Sequence, residues 1–257
     1  ARVWLSRPAK GNAMDLKMWE EVTRTFQALD EDSDVRCVVL RGKGKHFCTG
    51  IDLASLAGLL QQEGGCEGRR REALRRQILW MQRAFTALEA CRKPVIAAVH
   101  GACFGAGIDL ITAADVRLCT EDAKLCVKEI DLGLAADIGT LQRLPTLVGH
   151  GRAAELALTA RVFRGREAQS MGLVAQSLPT PEALAEAAAS MAALIASKPP
   201  LAAAGTKRVL LWSRDHPNVA DGLEYVATWN SAQLISEDFT EAVMASQQRR
   251  APVFSKL

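Results

Sequence analysis

Three short runs of β-branched and small apolar residues, set among helical patterns, constrain this chain more than any other feature. Val35-Arg36-Cys37-Val38-Val39-Leu40-Arg41 runs into Gly42-Lys43-Gly44, and Pro94-Val95-Ile96-Ala97-Ala98-Val99-His100 runs into Gly101. Ala114-Asp115-Val116-Arg117-Leu118-Cys119 is a third. Runs of this length bounded by glycine turns read as strands. The first residues, from Ala1, also read as the middle of a strand. Between the strands, Asp15 to Leu29 places Leu16, Trp19, Val22, Phe26 and Leu29 near a 3.6-residue period and predicts a helix. Short apolar strands alternating with helices predict an α/β chain with parallel pairing.

The character changes twice along the 257 residues. Across 57–88, Gly64-Gly65 interrupts the chain, and Arg69, Arg70, Arg71, Arg75 and Arg76 then crowd one helical stretch. That stretch is either a solvated helix face or a cationic rim near an anionic ligand. From Pro181 onward the chain is Ala-rich and helical, broken at Ser197-Lys198-Pro199-Pro200, with no further strand signal. We therefore divide it into an α/β core, residues 1–195, and a helical region, 196–257. The latter is too thin to fold alone and is expected to pack on the core or on another subunit.

Composition narrows the function classes. A net charge of +3 suits an anionic small-molecule ligand and is too weak to argue for nucleic acid. The seven cysteines lack any C-x-x-C spacing, which points to reduced, mostly buried thiols of an intracellular protein. The four histidines are scattered, so no metal site is expected. No apolar run reaches membrane-spanning length. Ser255-Lys256-Leu257 reads as a peroxisomal address recognised by an import receptor. A leader preceding Ala1 would allow a mitochondrial pool as well.

Three stretches carry candidate chemistry. In His46-Phe47-Cys48-Thr49-Gly50-Ile51-Asp52-Leu53 a turn leads to a helix beginning at or just after Asp52. Backbone N–H groups at such a start are unpaired and can hold a developing negative charge. Gly101-Ala102-Cys103-Phe104-Gly105-Ala106-Gly107-Ile108-Asp109-Leu110 is a second strand-to-helix junction, whose glycines allow close backbone approach and whose Ala106 N–H is a second candidate donor. Its order, G-x-x-x-G-x-G, is not the dinucleotide-binding one. In the third stretch, from Lys128 to Thr140, Glu129 and Asp137 sit among apolar residues, glycine and alanine. Desolvation there would make them useful proton-transfer groups near neutral pH. The same two acids could equally cap helices or pair with Arg143 or Lys128.

With these stretches in view, the chain resembles the crotonase, or enoyl-CoA hydratase/isomerase, superfamily over nearly its whole length. Arg7-Pro8 with Asn12-Ala13-Met14, Gly50-Ile51-Asp52, Lys93 to Gly101 with the glycine-rich turn, Ala114-Asp115, and Arg249-Arg250-Ala251-Pro252-Val253-Phe254 carry the resemblance in order. It implies a spiral of ββα repeats with a C-terminal helical region that makes homotrimers, commonly paired into homohexamers. It implies a fatty acyl-CoA substrate and no cofactor, coenzyme A being part of the substrate. Thr49, Gly50, Ile51, Asp52, Leu53 and Ala106 would bind substrate, the thioester oxygen sitting between the Ile51 and Ala106 N–H groups. Arg7, Lys10, Arg249 and Arg250 are candidates for the coenzyme A phosphates, or ordinary surface charges. A hydratase of this family has Glu at the positions of Asp109 and Glu129 and Gly at that of Asp137. The trio Asp109, Glu129 and Asp137 looks instead like the Δ3,5-Δ2,4-dienoyl-CoA isomerase branch, which transposes C=C bonds during β-oxidation of unsaturated fatty acids. In that branch Glu129 and Asp137 would move protons and Asp109 would tune them. Enoyl-CoA hydration, or a non-catalytic binding role, is the alternative.

Overall fold

The computed structural model describes residues 1–60 and 66–257; the Gly64-Gly65 interruption lies outside them. The elements in chain order are β1 (Arg2–Leu5), α1 (Leu16–Glu31), β2 (Val38–Gly42), α2 (Leu53–Leu60), α3 (Glu67–Ala90), β3 (Val95–Val99), β4 (Ala102–Phe104), α4 (Ala106–Thr112), β5 (Val116–Thr120) and β6 (Lys124–Cys126). A 3-10 turn, Glu129–Leu132, precedes α5 (Thr140–Val148), α6 (His150–Thr159), β7 (Phe163–Arg164), α7 (Gly165–Ser170), β8 (Gln176–Leu178) and α8 (Pro181–Ala196). The chain closes with α9 (Pro200–Asp215), α10 (Val219–Gln233) and α11 (Glu237–Gln247).

A five-stranded sheet, in the order β1-β2-β3-β5-β8, is parallel throughout. A smaller sheet runs β4-β6-β7. Between them lies the repeat that the resemblance implies. Each turn of chain lays one strand in the large sheet, bends, adds a short extended segment, and continues as a helix. The extended segments of successive turns pair in sequence: Met14 bridges Ile51, Cys48 bridges Cys103, and β4 pairs with β6, all parallel. This is a spiral of ββα turns.

Both faces of the large sheet are covered, as a parallel sheet requires. Val38, Leu40, Val95, Ala97 and Val99 face the main core with Trp19, Phe26, Phe85 and Leu88. Their alternates, Val39, Ile96, Ala98 and Leu118, face a second core closed by Leu184 and Ala188 of α8. The period of two places each set on its own face. Six of the seven cysteines are buried free thiols and Cys66 is exposed.

Helix α1 begins where periodicity places it, because the Asp15 side chain accepts the Met18 N–H at 2.8 Å. The strand read as 35–41 starts later, at Val38, since the Val35 N–H closes a turn onto the Asp32 carbonyl. The three-residue β4 lies inside what reads as a single strand-to-helix turn. The arginine-rich stretch forms the exposed start of α3, with Arg71 paired to Glu67 and Arg76 to Glu72. The segment from Arg249 to Leu257 returns to the core. Arg36 donates to the Phe254 and Ser255 carbonyls, and Lys256 pairs with Asp34. Helix α9 is tied to the core by Lys207, whose buried ammonium pairs with Asp115 at 2.7 Å.

Asn12 fixes the first turn of the spiral. It is fully buried with φ +58°, a left-handed conformation that asparagine tolerates. Its Oδ1 accepts the Arg7 N–H, and its Nδ2 donates to the Lys43 and His46 carbonyls. Asn12→Ala leaves three part-buried backbone groups without their partner and is expected to lower the unfolding free energy by roughly 3 kcal/mol. Urea denaturation checks this; a loss under about 1 kcal/mol would mean water replaces the amide.

Candidate active site

The two glycine-bearing junctions are zipped together. The Cys48 N–H donates to the Ala102 carbonyl and the Phe104 N–H to the Cys48 carbonyl, while Asp52 donates to Met14. Gly107 lets the junctions approach: a Cβ there would lie 2.9 Å from the Cys48 carbonyl oxygen. Asp52 caps α2 by accepting the Ala54 and Ser55 N–H groups, and it is itself held by Arg7 at 3.0 Å. The parallel pairing of Met14 and Ile51 runs through the two neighbours of Ile51: the Gly50 carbonyl accepts the Met14 N–H, and the Asp52 N–H donates to the Met14 carbonyl. Ala106 is the first residue of α4, where an N–H has no acceptor within the helix. Among the described residues, neither the Ile51 nor the Ala106 N–H has an acceptor.

Both line a cavity of about 830 Å³. Thr49, Gly50, Asp52, Leu53, Asp109, Glu129 and Asp137 line it too, so the predicted substrate-binding and acidic residues share one chamber. Of the four basic candidates, Lys10 lines it. Arg7 does not: its charge is taken up by Asp15 and Asp52 at 3.1 and 3.0 Å. Arg250 pairs with Glu241, and neither it nor Arg249 lines the chamber. Apart from Lys128, the remaining wall is apolar, with Trp19, Leu74, Ile78, Met81, Phe104, Leu132, Leu134 and Ile138 prominent in it. The spacing of Leu74, Ile78 and Met81 on α3 is that of one helix face, a signal available in the sequence.

Neither Glu129 nor Asp137 pairs with the basic residues beside it in sequence. Arg143 is bound by Glu89 at 3.0 Å, and Lys128 pairs with Asp131. Glu129 begins the 3-10 turn, and its Oε2 is sealed from solvent with no hydrogen-bond partner among the described residues. Its other oxygen packs beside Gly105, where a Cβ would lie 3.4 Å away. Asp109 is 1% exposed, and its Oδ1 accepts the Thr140 N–H at 2.7 Å, at the start of α5. Asp109 thereby ties α4 to the segment that carries Asp137.

All three acids are raised above the ordinary carboxylate range. Burial raises Asp109, and the adjacent Glu129 charge raises it further. Burial also raises Glu129, and the Asp137 charge adds to this, against hydrogen bonds that include one from Asp109. Asp137 is raised by burial. The chamber therefore joins two unpaired N–H groups to carboxyls that hold protons more tightly than exposed ones. Such a site can polarise a carbonyl and move protons along the molecule that carries it.

Comparison with known proteins agrees with this arrangement. The family pattern described as enoyl-CoA hydratase/isomerase matches residues 1–256. A protein of Arabidopsis thaliana named peroxisomal Delta(3,5)-Delta(2,4)-dienoyl-CoA isomerase is 52% identical over 255 residues, covering 98% of this chain and 91% of that one. The Rattus norvegicus protein named mitochondrial Delta(3,5)-Delta(2,4)-dienoyl-CoA isomerase is 46% identical, covering 99% of this chain and 79% of that one. The crystal structure of an enoyl-CoA hydratase from Bacillus anthracis superposes with a TM-score of 0.88 at 30% identity, over 99% of this chain and 94% of that one. Spiral, junctions and matched length together make this chain a member of the enoyl-CoA hydratase/isomerase family.

Proposed function

We propose that this chain isomerises 3,5-dienoyl-CoA to 2,4-dienoyl-CoA. The observation that carries the reading is a pair of half-buried acids, Glu129 and Asp137, lining the chamber that holds two unpaired backbone donors. The names of the Arabidopsis and rat relatives support it, at 52% and 46% identity over almost the whole chain.

In this reading the Ile51 and Ala106 N–H groups bind the thioester oxygen, on which negative charge grows as a proton leaves C2. Donors fixed in advance stabilise that charge more than the ground state; one donor lost costs roughly 3 kcal/mol. Glu129 takes the C2 proton. The electron pair delocalises along the conjugated carbons, and Asp137 delivers a proton to C6. The double bonds move, and no electrons enter or leave. Both ends of the transfer are carboxyl chemistry, so the reaction calls for no cofactor beyond the coenzyme A of the substrate. A hydratase, acting at adjacent carbons, has no use for the second acid. Lys10 is the best-placed candidate for a coenzyme A phosphate, because it lines the chamber.

Residues 1–195 form the acyl-CoA-binding core and residues 196–257 the assembly region of a homotrimer or homohexamer. Exposed apolar side chains on α9 to α11 support this, among them Leu210, Val219, Leu223, Phe239 and Val243. Among the described residues, no helix is long and apolar enough to cross a membrane. We assign the protein to the peroxisome after its Arabidopsis relative, with a mitochondrial pool after the rat one.

Glu129→Gln and Asp137→Asn are each expected to slow formation of the 2,4-diene by about 10²–10⁴-fold. Affinity for a CoA ester should stay within a few-fold. The assay is the absorbance of the product diene, run beside hydration of crotonyl-CoA; wild-type turnover in Asp137→Asn would end the two-acid scheme. The base must be ionised to act, so the acid limb of kcat/KM is expected above the usual carboxylate value of about 4.3. An ionised Asp137 raises Glu129, and Asp137→Asn, which cannot ionise, removes that contribution. The acid limb of C2 proton exchange, followed by deuterium uptake, should therefore move to lower pH. A limb that rises contradicts the assignment. Gly107→Ala should push the junctions apart and lower kcat by about 10-fold or more, while Ala106→Gly stays within a few-fold of wild type. Equal effects would mean the approach at Gly107 does not set the donors.

A further inference from the structure

The segment Asp137–Thr140 is gripped by its main chain. Gln82, on α3, donates its Nε2 to the Asp137 carbonyl at 2.6 Å. Arg143 reaches the Ile138 carbonyl at 3.5 Å, and its guanidinium fills the space a Cβ at Gly139 would need. Arg143 is fixed in turn by a two-point ion pair with Glu89 of α3, both contacts 3.0 Å, with the two side chains 11% and 13% exposed. Asp109 accepts the Thr140 N–H and closes the far end. Among the described residues, the Asp137 carboxyl has no partner beyond its own backbone N–H. Its place in the chamber is therefore set by what holds the backbone under it.

The geometry points to Gln82 as a positioning residue for the second proton transfer, with the Glu89–Arg143 pair as its companion. Together they hold the Asp137 carboxyl at its distance from the Glu129 turn. The brace extends beyond the core: Arg214 of α9 also binds Glu89, so the C-terminal helical region shares in fixing the acid. Glu129 stands on a different segment, and Gln82 makes no contact with it among the described hydrogen bonds. Gln82 should therefore affect delivery to C6 and leave removal from C2 alone. This inference rests on the reading of Asp137 as the C6 proton donor.

The test is Gln82→Met, of similar length and without a donor, assayed in deuterium oxide with a 3,5-dienoyl-CoA. A displacement of the donor by about an ångström is worth up to about 10²-fold in rate. The expected result is kcat lowered about 10- to 100-fold, KM within about twofold, an unchanged melting temperature, and deuterium at C2 of recovered substrate at the wild-type rate or faster. Arg143→Lys, which keeps the charge and loses the two-point grip, should show the same split more weakly; it also serves if Gln82→Met does not fold. Wild-type kcat in both variants would overturn the inference, as would parallel loss of C2 exchange and turnover. Failure of the parent reading looks different: Asp137→Asn would then keep its turnover whatever Gln82→Met does.

Discussion

The structure depends on the parallel pairing of two strand-to-helix junctions. Cys48 bridges Cys103 and Met14 bridges Ile51, so the second strands of consecutive turns run side by side. Such pairing consumes alternate N–H groups on each edge and leaves the others free. Ile51 falls among the free ones because its neighbours, Gly50 and Asp52, supply the carbonyl and the N–H that bind Met14. Ala106 is free for a different reason, as the first residue of a helix. Two unrelated rules of backbone geometry thus deliver two donors to one chamber, and no side chain is needed to make them.

The acids are placed by another logic. Glu129 lies on the 3-10 turn and Asp137 on the segment before α5, while Asp109, on α4, holds the start of α5 through the Thr140 N–H. Alternative partners nearby are already engaged, Arg143 by Glu89 and Lys128 by Asp131. With those cations engaged elsewhere, burial is left to raise the chamber acids. Were Arg143 turned toward Asp137, a neighbouring positive charge would hold its carboxyl ionised and remove it from proton donation.

Much of this was legible in the sequence, and the remainder was hidden for identifiable reasons. The strands of the large sheet read clearly where β-branched residues ended in glycine, and α1 read clearly because Asp15 caps it. The ordered motifs named the spiral, which periodicity alone would have rendered as an ordinary parallel sheet. The segments β4, β6 and β7 were invisible, since two or three residues carry no period. Thr49 to Leu53, Ala106 and the three acids share the chamber as their motifs suggested. Arg7 is spent within the fold on two carboxylates, a long-range arrangement that no local pattern encodes. Gln82 left no trace because it addresses a carbonyl group, which every residue has.

The grip on Asp137–Thr140 by carbonyl and amide rather than by side chain has an evolutionary corollary. A scaffold that clasps only the peptide skeleton is indifferent to what that position presents. Replacing the acid with a residue as small as glycine would leave the clasp untouched and, on the role proposed for Asp137, change the outcome of the reaction. Diversification of chemistry at this spot then demands no rebuilding of the surrounding architecture, and a lineage can explore new activities one codon at a time.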